Sequence, residues 1–154
     1  MKVIGLTGGI GSGKTTVAGM LAELGARCLD LDRTGHEVLD RPQVLEELVR
    51  TFGDGILGAD GRVDRDRLGA LVFADTGELK KLNAIVHPAI DAIIDEYIDR
   101  ARRENVRVVV LEAAVLLEAG RAWQVDEVWV TAAPEDVVVR RVTARSEMTG
   151  DDVR

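Results

Sequence analysis

Aromatic residues are scarce in this sequence, at 3% of 154 residues, and its 20 lysines and arginines are outnumbered by 27 aspartates and glutamates. Nucleic-acid-binding surfaces rely on basic side chains that contact phosphates and, for single strands, on aromatic side chains that stack on bases. The formal net charge of −7 therefore argues against a nucleic-acid partner. It does not exclude small phosphorylated ligands, which a few local cations and backbone amides can bind.

Cysteine, histidine and long apolar runs are also in short supply. The single cysteine, Cys28, excludes an internal disulfide, and two histidines are too few for a metal site built from histidine and cysteine. Cys28 lies in an apolar segment, which predicts a small buried side chain. Because neither a signal peptide nor a run of membrane-spanning length is recognisable, we expect a cytoplasmic protein without a membrane partner. The sequence leaves its oligomeric state open.

Short apolar runs alternate with helical patterns along the chain, which predicts an α/β fold with a parallel sheet. The predicted strands cover 2–8, 26–32, 106–113 and 126–133. The predicted helices cover 14–25, 42–52, 65–73, about 77–103 and 134–145. The length is that of a single domain. We expect the helical region of about 34–103, inserted between strands 2 and 3, to cap the carboxyl ends of the strands, where ligands bind in such sheets.

The segment LTGGIGSGKTTVA, residues 6–18, follows the first predicted strand and leads into the first helix. It fits the pattern G-x-x-x-x-G-K-[ST] through Gly8, Gly13, Lys14 and Thr15. Glycines let consecutive backbone N–H groups turn toward one phosphate, and the N-terminus of the following helix adds its positive dipole. The segment therefore predicts a phosphate-binding loop, although an ordinary strand–turn–helix with incidental glycines can show the same spacing.

In a loop of this kind the lysine bridges the β- and γ-phosphates, and the hydroxyl that follows it binds Mg²⁺. We assign these roles to Lys14 and Thr15, with ATP as the phosphoryl donor and Mg²⁺ as the cofactor. The predicted ATP-binding residues are Gly9, Gly11, Ser12, Gly13, Lys14, Thr15 and Thr16.

Carboxylates end two of the predicted strands. Asp30 and Asp32 end strand 2, where alternation along a strand would place both on the same side. A carboxylate there can accept a proton from a phosphoryl acceptor or hold a metal-bound water, and Asp32 is also a suitable helix cap. Glu112 ends strand 3, where it can bind Mg²⁺ through water or cap a helix at 113–119.

Cationic and polar side chains on two helices are the remaining candidates for binding the transferred phosphate or the substrate. Arg140 and Arg141 follow strand 4 and can bind the transferred phosphate, or they form an ordinary solvated helix face. In the long helix, Asn83 lies four residues before His87 and shares a face with it. His87 can contact a substrate, or it has a structural role beside Pro88, which should kink or split the helix.

Several motifs, in their order along the chain, resemble those of dephospho-CoA kinase. They are IGLTGGIGSGKTTVA, LDLD, FGDGILGADGRVDRDRLGALVF, LNAIVHP and LLEAG…VDEVWV…PEDVVVRRV. The phosphate loop is common to a superfamily, but the later motifs are specific, and the match covers nearly the whole chain. The resemblance implies a three-layer P-loop kinase fold. It also implies ATP-dependent phosphorylation of the ribose 3′-hydroxyl of dephospho-CoA, the last step of coenzyme A biosynthesis, which gives CoA and ADP.

The resemblance also implies residue roles. Asp32 is expected to be the catalytic acid/base, Lys14 to contact the phosphates, and Arg140 to be a catalytic lid or nucleotide contact. The candidates for binding the acceptor, dephospho-CoA, are Asp30, Asn83, His87, Pro88 and Arg141. Family members continue with a lid helix, a last strand and a final helix, so we expect this chain to be a C-terminally truncated member.

Other functions fit part of the sequence. A different small-molecule P-loop kinase, acting on a nucleoside or a sugar acid, would share the loop, the aspartate and the arginines, but it would not predict LNAIVHP. A non-catalytic nucleotide-binding module would fit a truncated chain. A GTPase is disfavoured, because DRTG at 32–35 fits its D-x-x-G motif but the sequence has no N-K-x-D motif to read guanine.

Overall fold

The computed structural model describes residues 1–114 and 125–145. The strands are β1 (Lys2–Gly8), β2 (Arg27–Asp30), β3 (Val108–Glu112) and β4 (Glu127–Thr131). The helices are α1 (Lys14–Glu23), α2 (Leu31–Glu37), α3 (Pro42–Phe52), α4 (Arg65–Ala74), α5 (Thr76–Arg103) and α6 (Glu135–Arg145), with 3₁₀ turns at Val38–Asp40 and Asp54–Ile56. None of these helices combines the length and the apolar character needed to cross a bilayer. Most of the helix predicted at 113–119 lies outside the described residues.

The described strands form one parallel sheet in the order β2-β3-β1-β4. β1 and β3 are apolar and mostly buried, as is typical of parallel strands covered on both faces. Leu6 of β1 and Asp30 of β2 both pair with Glu112 of β3, and Gly8 of β1 pairs with Thr131 of β4. The carboxyl ends of the strands therefore meet at one edge of the sheet. The predicted α/β class with a parallel sheet is confirmed.

Helix α1 packs on this sheet through small and aliphatic side chains. Leu6, Ala18 and Val110 form a buried cluster, and further apolar side chains pack against it: Val17, Leu21, Ala26, Cys28 and Val108. The Cys28 Sγ donates a hydrogen bond to the carbonyl oxygen of Ala18, 3.4 Å away. Burial and, secondarily, the charge of Glu112 raise the pKa of the Cys28 thiol. The thiol therefore stays protonated and packs as a small, half-buried side chain.

The described residues divide into two compact units, one comprising Met1–Asp32 and the described residues from Ile98 onward, the other Arg33–Tyr97. The first unit contains the sheet. The second is helical and has its own buried apolar side chains: Val38, Leu39, Val44, Leu48, Ile56, Leu68, Val72, Val86, Ile90 and Ile94. The role of this helical unit as a cap stays a prediction.

The second strand is shorter than the sequence predicted. β2 ends at Asp30, and Leu31 begins α2, so the prediction that Asp30 and Asp32 lie on the same side of one strand is wrong. Asp30 pairs with Glu112, the last residue of β3, and beyond this pair β3 offers no further ladder to continue the strand. Asp32 instead lies in the first turn of a helix, where the helix dipole favours a carboxylate.

Helix α5 continues through Pro88, so of the two predicted effects of this proline, a kink or a split of the helix, the split is wrong and the kink stays a prediction. A proline in a helix interior costs about 3 kcal/mol, because it removes a hydrogen bond and crowds the preceding turn. Val86, Ile90 and Ile94, on either side of Pro88, are at most 9% exposed. Since each buried aliphatic side chain contributes roughly 1.5–3 kcal/mol, burial of this stripe outweighs the cost of the proline.

Leu6 is fully buried at the centre of the sheet. We expect Leu6→Ala to lower the free energy of unfolding by about 2–5 kcal/mol, because it removes buried methyl groups and leaves a cavity. The same substitution at Leu24, which is 84% exposed, should change the free energy by less than about 0.5 kcal/mol. Urea unfolding followed by circular dichroism measures both, and equal losses would contradict the core position of Leu6.

Candidate active site

A cavity of about 290 Å³ lies at the carboxyl end of β1, beside the start of α1. It is lined by Gly8, Gly9, Ile10, Gly11, Gly13, Lys14, Thr15, Thr16, Ala114 and Arg141. The charged side chains in this lining, Lys14 and Arg141, are both cationic. A chain of net charge −7 thus has a positively charged cavity whose wall is largely glycine backbone, and such a cavity is suited to an anion.

The loop between β1 and α1 presents backbone amides to this cavity. Gly13 directly precedes α1 and has a φ of +96°, in the left-handed region that glycine adopts without a steric penalty. α1 then begins at Lys14. The N–H groups of a first helical turn have no partner within the helix, and the helix dipole adds partial positive charge there. The backbone therefore offers an anion hydrogen-bond donors and partial positive charge in addition to the two cationic side chains.

Asp32 lies beside Lys14. The Lys14 Nζ is 3.5 Å from the Asp32 Oδ2, and the backbone N–H of Ala114 donates to the same oxygen over 3.1 Å. The Lys14 side chain is 14% exposed and that of Asp32 is 45% exposed. The carboxylate is thus oriented through Oδ2 while much of it remains accessible to solvent. The start of α2, not the end of β2, provides this position.

The backbone on either side of the N–H that orients Asp32 is held by β1. Thr7, whose side chain is buried, donates its hydroxyl to the carbonyl oxygen of Ala114 over 3.1 Å. The N–H of Ala113 donates to the carbonyl oxygen of Leu6 over 3.0 Å. The sequence reasoning missed Thr7. The available signal was a polar side chain inside an otherwise apolar strand, which must find a hydrogen-bond partner when it is buried.

The two predicted metal-binding side chains contact each other. The Thr15 hydroxyl donates to the Glu112 Oε1 over 3.0 Å, and Glu112 is 8% exposed. Hydroxyl and carboxylate oxygens suit Mg²⁺, which usually takes few protein ligands and keeps several waters. Across 1–114 and 125–145 no group of three or more His, Cys, Asp and Glu residues could hold a metal. The donor set therefore fits a Mg²⁺ ion that is bound mainly through water and phosphate.

Of the two predicted arginines, Arg141 contacts the loop. Its Nη1 donates to the carbonyl oxygen of Gly11 over 3.1 Å, and the side chain lines the cavity. The Arg140 side chain is 74% exposed and pairs with Asp136, one turn earlier on α6, at 3.3 Å. Consecutive residues point about 100° apart on a helix, so α6 turns one arginine to the loop and the other to solvent. The contacts of the Arg140 side chain within residues 1–114 and 125–145 are with Asp136, and its catalytic role stays a prediction.

The other predicted acceptor-site residues belong to different parts of the fold. Asn83, His87 and Pro88 lie on α5 in the helical unit, and Asp30 is the exposed last residue of β2. The cavity lining comes entirely from the first unit. Their acceptor-binding role therefore stays a prediction.

The helical unit contains a larger cavity of about 390 Å³. It is lined by His36, Glu37, Leu39, Asp40, Asp60, Arg62, Val63 and Arg65. The Arg62 Nε donates to the Asp40 Oδ2 over 3.1 Å, and this arginine holds the pKa of Asp40 below its usual value. Acidic and basic side chains are mixed around this cavity, so the smaller cavity beside α1 is the better anion site despite its size.

Comparison with known proteins identifies the family. The sequence profile of dephospho-CoA kinase matches residues 2–154. A dephospho-CoA kinase of Symbiobacterium thermophilum is 44% identical over 99% of this chain and 64% of its own length. One of Geobacter sulfurreducens is 45% identical over 97% of this chain and 76% of its own length. The chain thus spans about two thirds to three quarters of the length of these relatives.

Solved structures share the fold of this chain. The crystal structure of TT1252 from Thermus thermophilus superimposes with a TM-score of 0.84 at 39% identity, covering 99% of this chain and 76% of that one. Dephospho-CoA kinase from Campylobacter jejuni, at 23% identity and a TM-score of 0.64, shares the fold, again over 99% of this chain and 76% of that one. The P-loop kinase fold predicted from the sequence is confirmed, and the chain belongs to the dephospho-CoA kinase family.

Proposed function

We propose that this chain carries the catalytic core of an ATP-dependent kinase that phosphorylates the ribose 3′-hydroxyl of dephospho-CoA, giving CoA and ADP. The observation that carries the proposal is the Asp32 carboxylate, held 3.5 Å from the Lys14 ammonium beside a cationic, glycine-lined cavity. The names of the relatives support dephospho-CoA as the acceptor.

The loop, Lys14 and Arg141 bind the phosphates of ATP in this proposal. Backbone N–H groups of the loop and of the first turn of α1 donate to phosphate oxygens, and Lys14 supplies a charge that neutralises the β- and γ-phosphates. Arg141, which already reaches the loop through Gly11, adds a second cation. Such fixed charges stabilise the negative charge of the transferred group in the transition state.

Asp32 acts as the base in the proposed transfer. The 3′-oxygen of the acceptor forms a bond to the γ-phosphorus, its proton passes to the Asp32 carboxylate, and the bond from the γ-phosphorus to the β–γ bridging oxygen breaks to release ADP. The Ala114 N–H and Lys14 orient Asp32 through Oδ2. Oδ1, which lies farther from the Ala114 nitrogen at 3.5 Å, is the oxygen we assign to the acceptor proton.

Thr15 and Glu112 would hold Mg²⁺, Thr15 through its hydroxyl and Glu112 through a bound water. When bound, Mg²⁺ neutralises phosphate charge and orients the β- and γ-phosphates. The hydrogen bond between Thr15 and Glu112 fixes the hydroxyl rotamer at the start of α1. This contribution of the chain does not depend on the metal.

The position of Asp32 favours a kinase over a module that only binds a nucleotide. A carboxylate beside a phosphate site repels the ligand and lowers its affinity, so such a site is not built for tight binding alone. The same carboxylate is useful to an enzyme that must remove a proton from an acceptor hydroxyl at that point. Family membership favours dephospho-CoA over nucleoside or sugar-acid acceptors.

A coupled assay of ADP release tests the acceptor. With ATP and Mg²⁺ present, dephospho-CoA should stimulate ADP release, and mass spectrometry should identify CoA as the product. Adenosine and gluconate, as nucleoside and sugar-acid acceptors, should give no stimulation. Turnover that is indifferent to dephospho-CoA, or that prefers one of the other acceptors, would contradict the proposal.

We expect Asp32→Asn to lower kcat by about 10²- to 10⁴-fold, because the amide cannot accept the proton in the transition state. The affinity for ATP should be retained or increased, since a negative charge beside the phosphates is removed. Initial rates and calorimetric titration with ATP measure the two effects. Glu23→Gln, at an exposed carboxylate on α1, is the control for loss of one negative charge, and an equal fall in its kcat would contradict the role of Asp32.

We expect Glu112→Gln to raise the Mg²⁺ concentration for half-maximal activity by about ten- to hundredfold, because an outer ligand of the metal loses its charge. Nucleotide affinity measured in EDTA should change little. Glu127→Gln, at the start of β4 and so at the opposite end of the sheet, is the matched control. An unchanged Mg²⁺ requirement in Glu112→Gln would remove this residue from the proposed metal site.

A further inference from the structure

Two hydroxyl groups that the proposed transfer does not use connect the phosphate loop to the sheet. The Ser12 Oγ lies 2.7 Å from the Thr131 Oγ1. The Thr131 hydroxyl also donates to the backbone carbonyl oxygen of Thr7 over 3.2 Å. Thr131 is the last residue of β4, and Thr7 lies in β1. A chain of hydrogen bonds therefore runs from the middle of the loop to two strands.

The direction of these hydrogen bonds follows from counting hydrogens. A hydroxyl group has one hydrogen to donate, and a carbonyl oxygen can only accept. Since Thr131 gives its hydrogen to the carbonyl of Thr7, the hydrogen between the two hydroxyls must come from Ser12. The hydroxyl hydrogen of Ser12 is then committed to Thr131 and is not available to a phosphate oxygen.

The surroundings of Ser12 agree with this direction. Gly11 and Gly13 line the cavity, whereas Ser12 and Thr131 are not among its lining residues. The two hydroxyls meet directly over Gly8. A Cβ at that position would lie 2.1 Å from the Thr131 Oγ1 and 2.7 Å from the Ser12 Oγ. Only glycine leaves room for the hydroxyl pair.

A loop this rich in glycine needs such a restraint. Glycine has more backbone freedom than any other residue, and freedom that remains in the loop must be given up when a ligand binds. Arg141 restrains Gly11 from α6, and the Ser12–Thr131 hydrogen bond restrains the next residue from β4. Both restraints come from the segment that follows the loop by more than a hundred residues.

We propose that Thr131 is a positioning residue for nucleotide binding. Through Ser12 it holds the phosphate loop in its binding conformation, and Ser12 is the tether of the loop, not a ligand of the phosphates. This inference rests on the proposed nucleotide-binding role of the cavity, and it reassigns Ser12 among the residues predicted to bind ATP.

A double-mutant cycle on the affinity for Mg·ADP tests the inference. Thr131→Val removes the hydroxyl at nearly constant shape, and Ser12→Ala removes the other end of the bond. Each should weaken Mg·ADP binding by roughly three- to tenfold, the range expected for one lost hydrogen bond. The double variant should bind no more weakly than either single variant, because both remove the same interaction. Thr131→Ser, which keeps a hydroxyl, should restore most of the affinity.

Two results of this cycle would overturn the inference. If Ser12→Ala weakens binding while Thr131→Val does not, Ser12 contacts the phosphate directly. If the two losses multiply in the double variant, the residues act independently.

Hydrogen exchange of the free protein gives a readout that needs no ligand. Ser12→Ala should speed exchange at the amides of residues 9–13. The accompanying loss of global unfolding free energy should be too small to account for this faster exchange. A lost phosphate ligand would leave exchange in the free protein unchanged, and that result would overturn the inference even if Thr131→Val does not fold. The outcome is separate from the acceptor assay, because ADP affinity and loop exchange do not depend on dephospho-CoA.

Discussion

Parallel hydrogen bonding of β1 to β3 on one side and to β4 on the other determines what surrounds the phosphate loop. The register places Glu112 beside Leu6 and Thr131 beside Gly8. A carboxylate and a hydroxyl from distant parts of the sequence thus reach Thr15, just after the loop, and Ser12, within it. Because the side chains alternate with a period of two along a strand, a slip of one residue in either pairing would turn these groups to the opposite face of the sheet.

The charge distribution at the cavity explains why an acidic chain is suited to a phosphorylated ligand. Lys14 and Arg141 line the cavity. Two carboxylates contact residues of this lining: Asp32 pairs with Lys14 and accepts from the Ala114 N–H, and Glu112 accepts from Thr15. Each of these two carboxylates therefore accepts at least one hydrogen bond. The other charges that make up the net charge of −7 lie elsewhere on the chain. At about 0.1 M salt, exposed charges more than about 10 Å from the cavity have little effect on it, because the salt screens them.

The sequence was sufficient to predict the parallel sheet, the loop and the helix after it, because apolar runs and the spacing of glycines, lysine and threonine are local patterns. It was not sufficient to predict that Asp32 lies in a helix. The change from strand to helix at Leu31 depends on where β3 ends, and not on residues 26–32 themselves. The choice between Arg140 and Arg141 depends on the rotation of α6 about its axis, which packing of Val138 and Val142 against Gly11 decides. The hydrogen bond between Ser12 and Thr131 could not be predicted from the sequence, because the two residues are far apart along the chain.

The contacts of Thr131 and Arg141 have a thermodynamic consequence for α6. Thr131 ends β4 and Arg141 lies on α6, and the two contact the Ser12 hydroxyl and the Gly11 carbonyl oxygen of the loop. Coupling between two sites is reciprocal in free energy. If the placement of this segment strengthens the binding of a phosphate on the loop, the bound phosphate must stabilise the placement of α6 by the same amount. A phosphate bound at the loop would therefore also favour the position of α6 in which Arg141 reaches the loop.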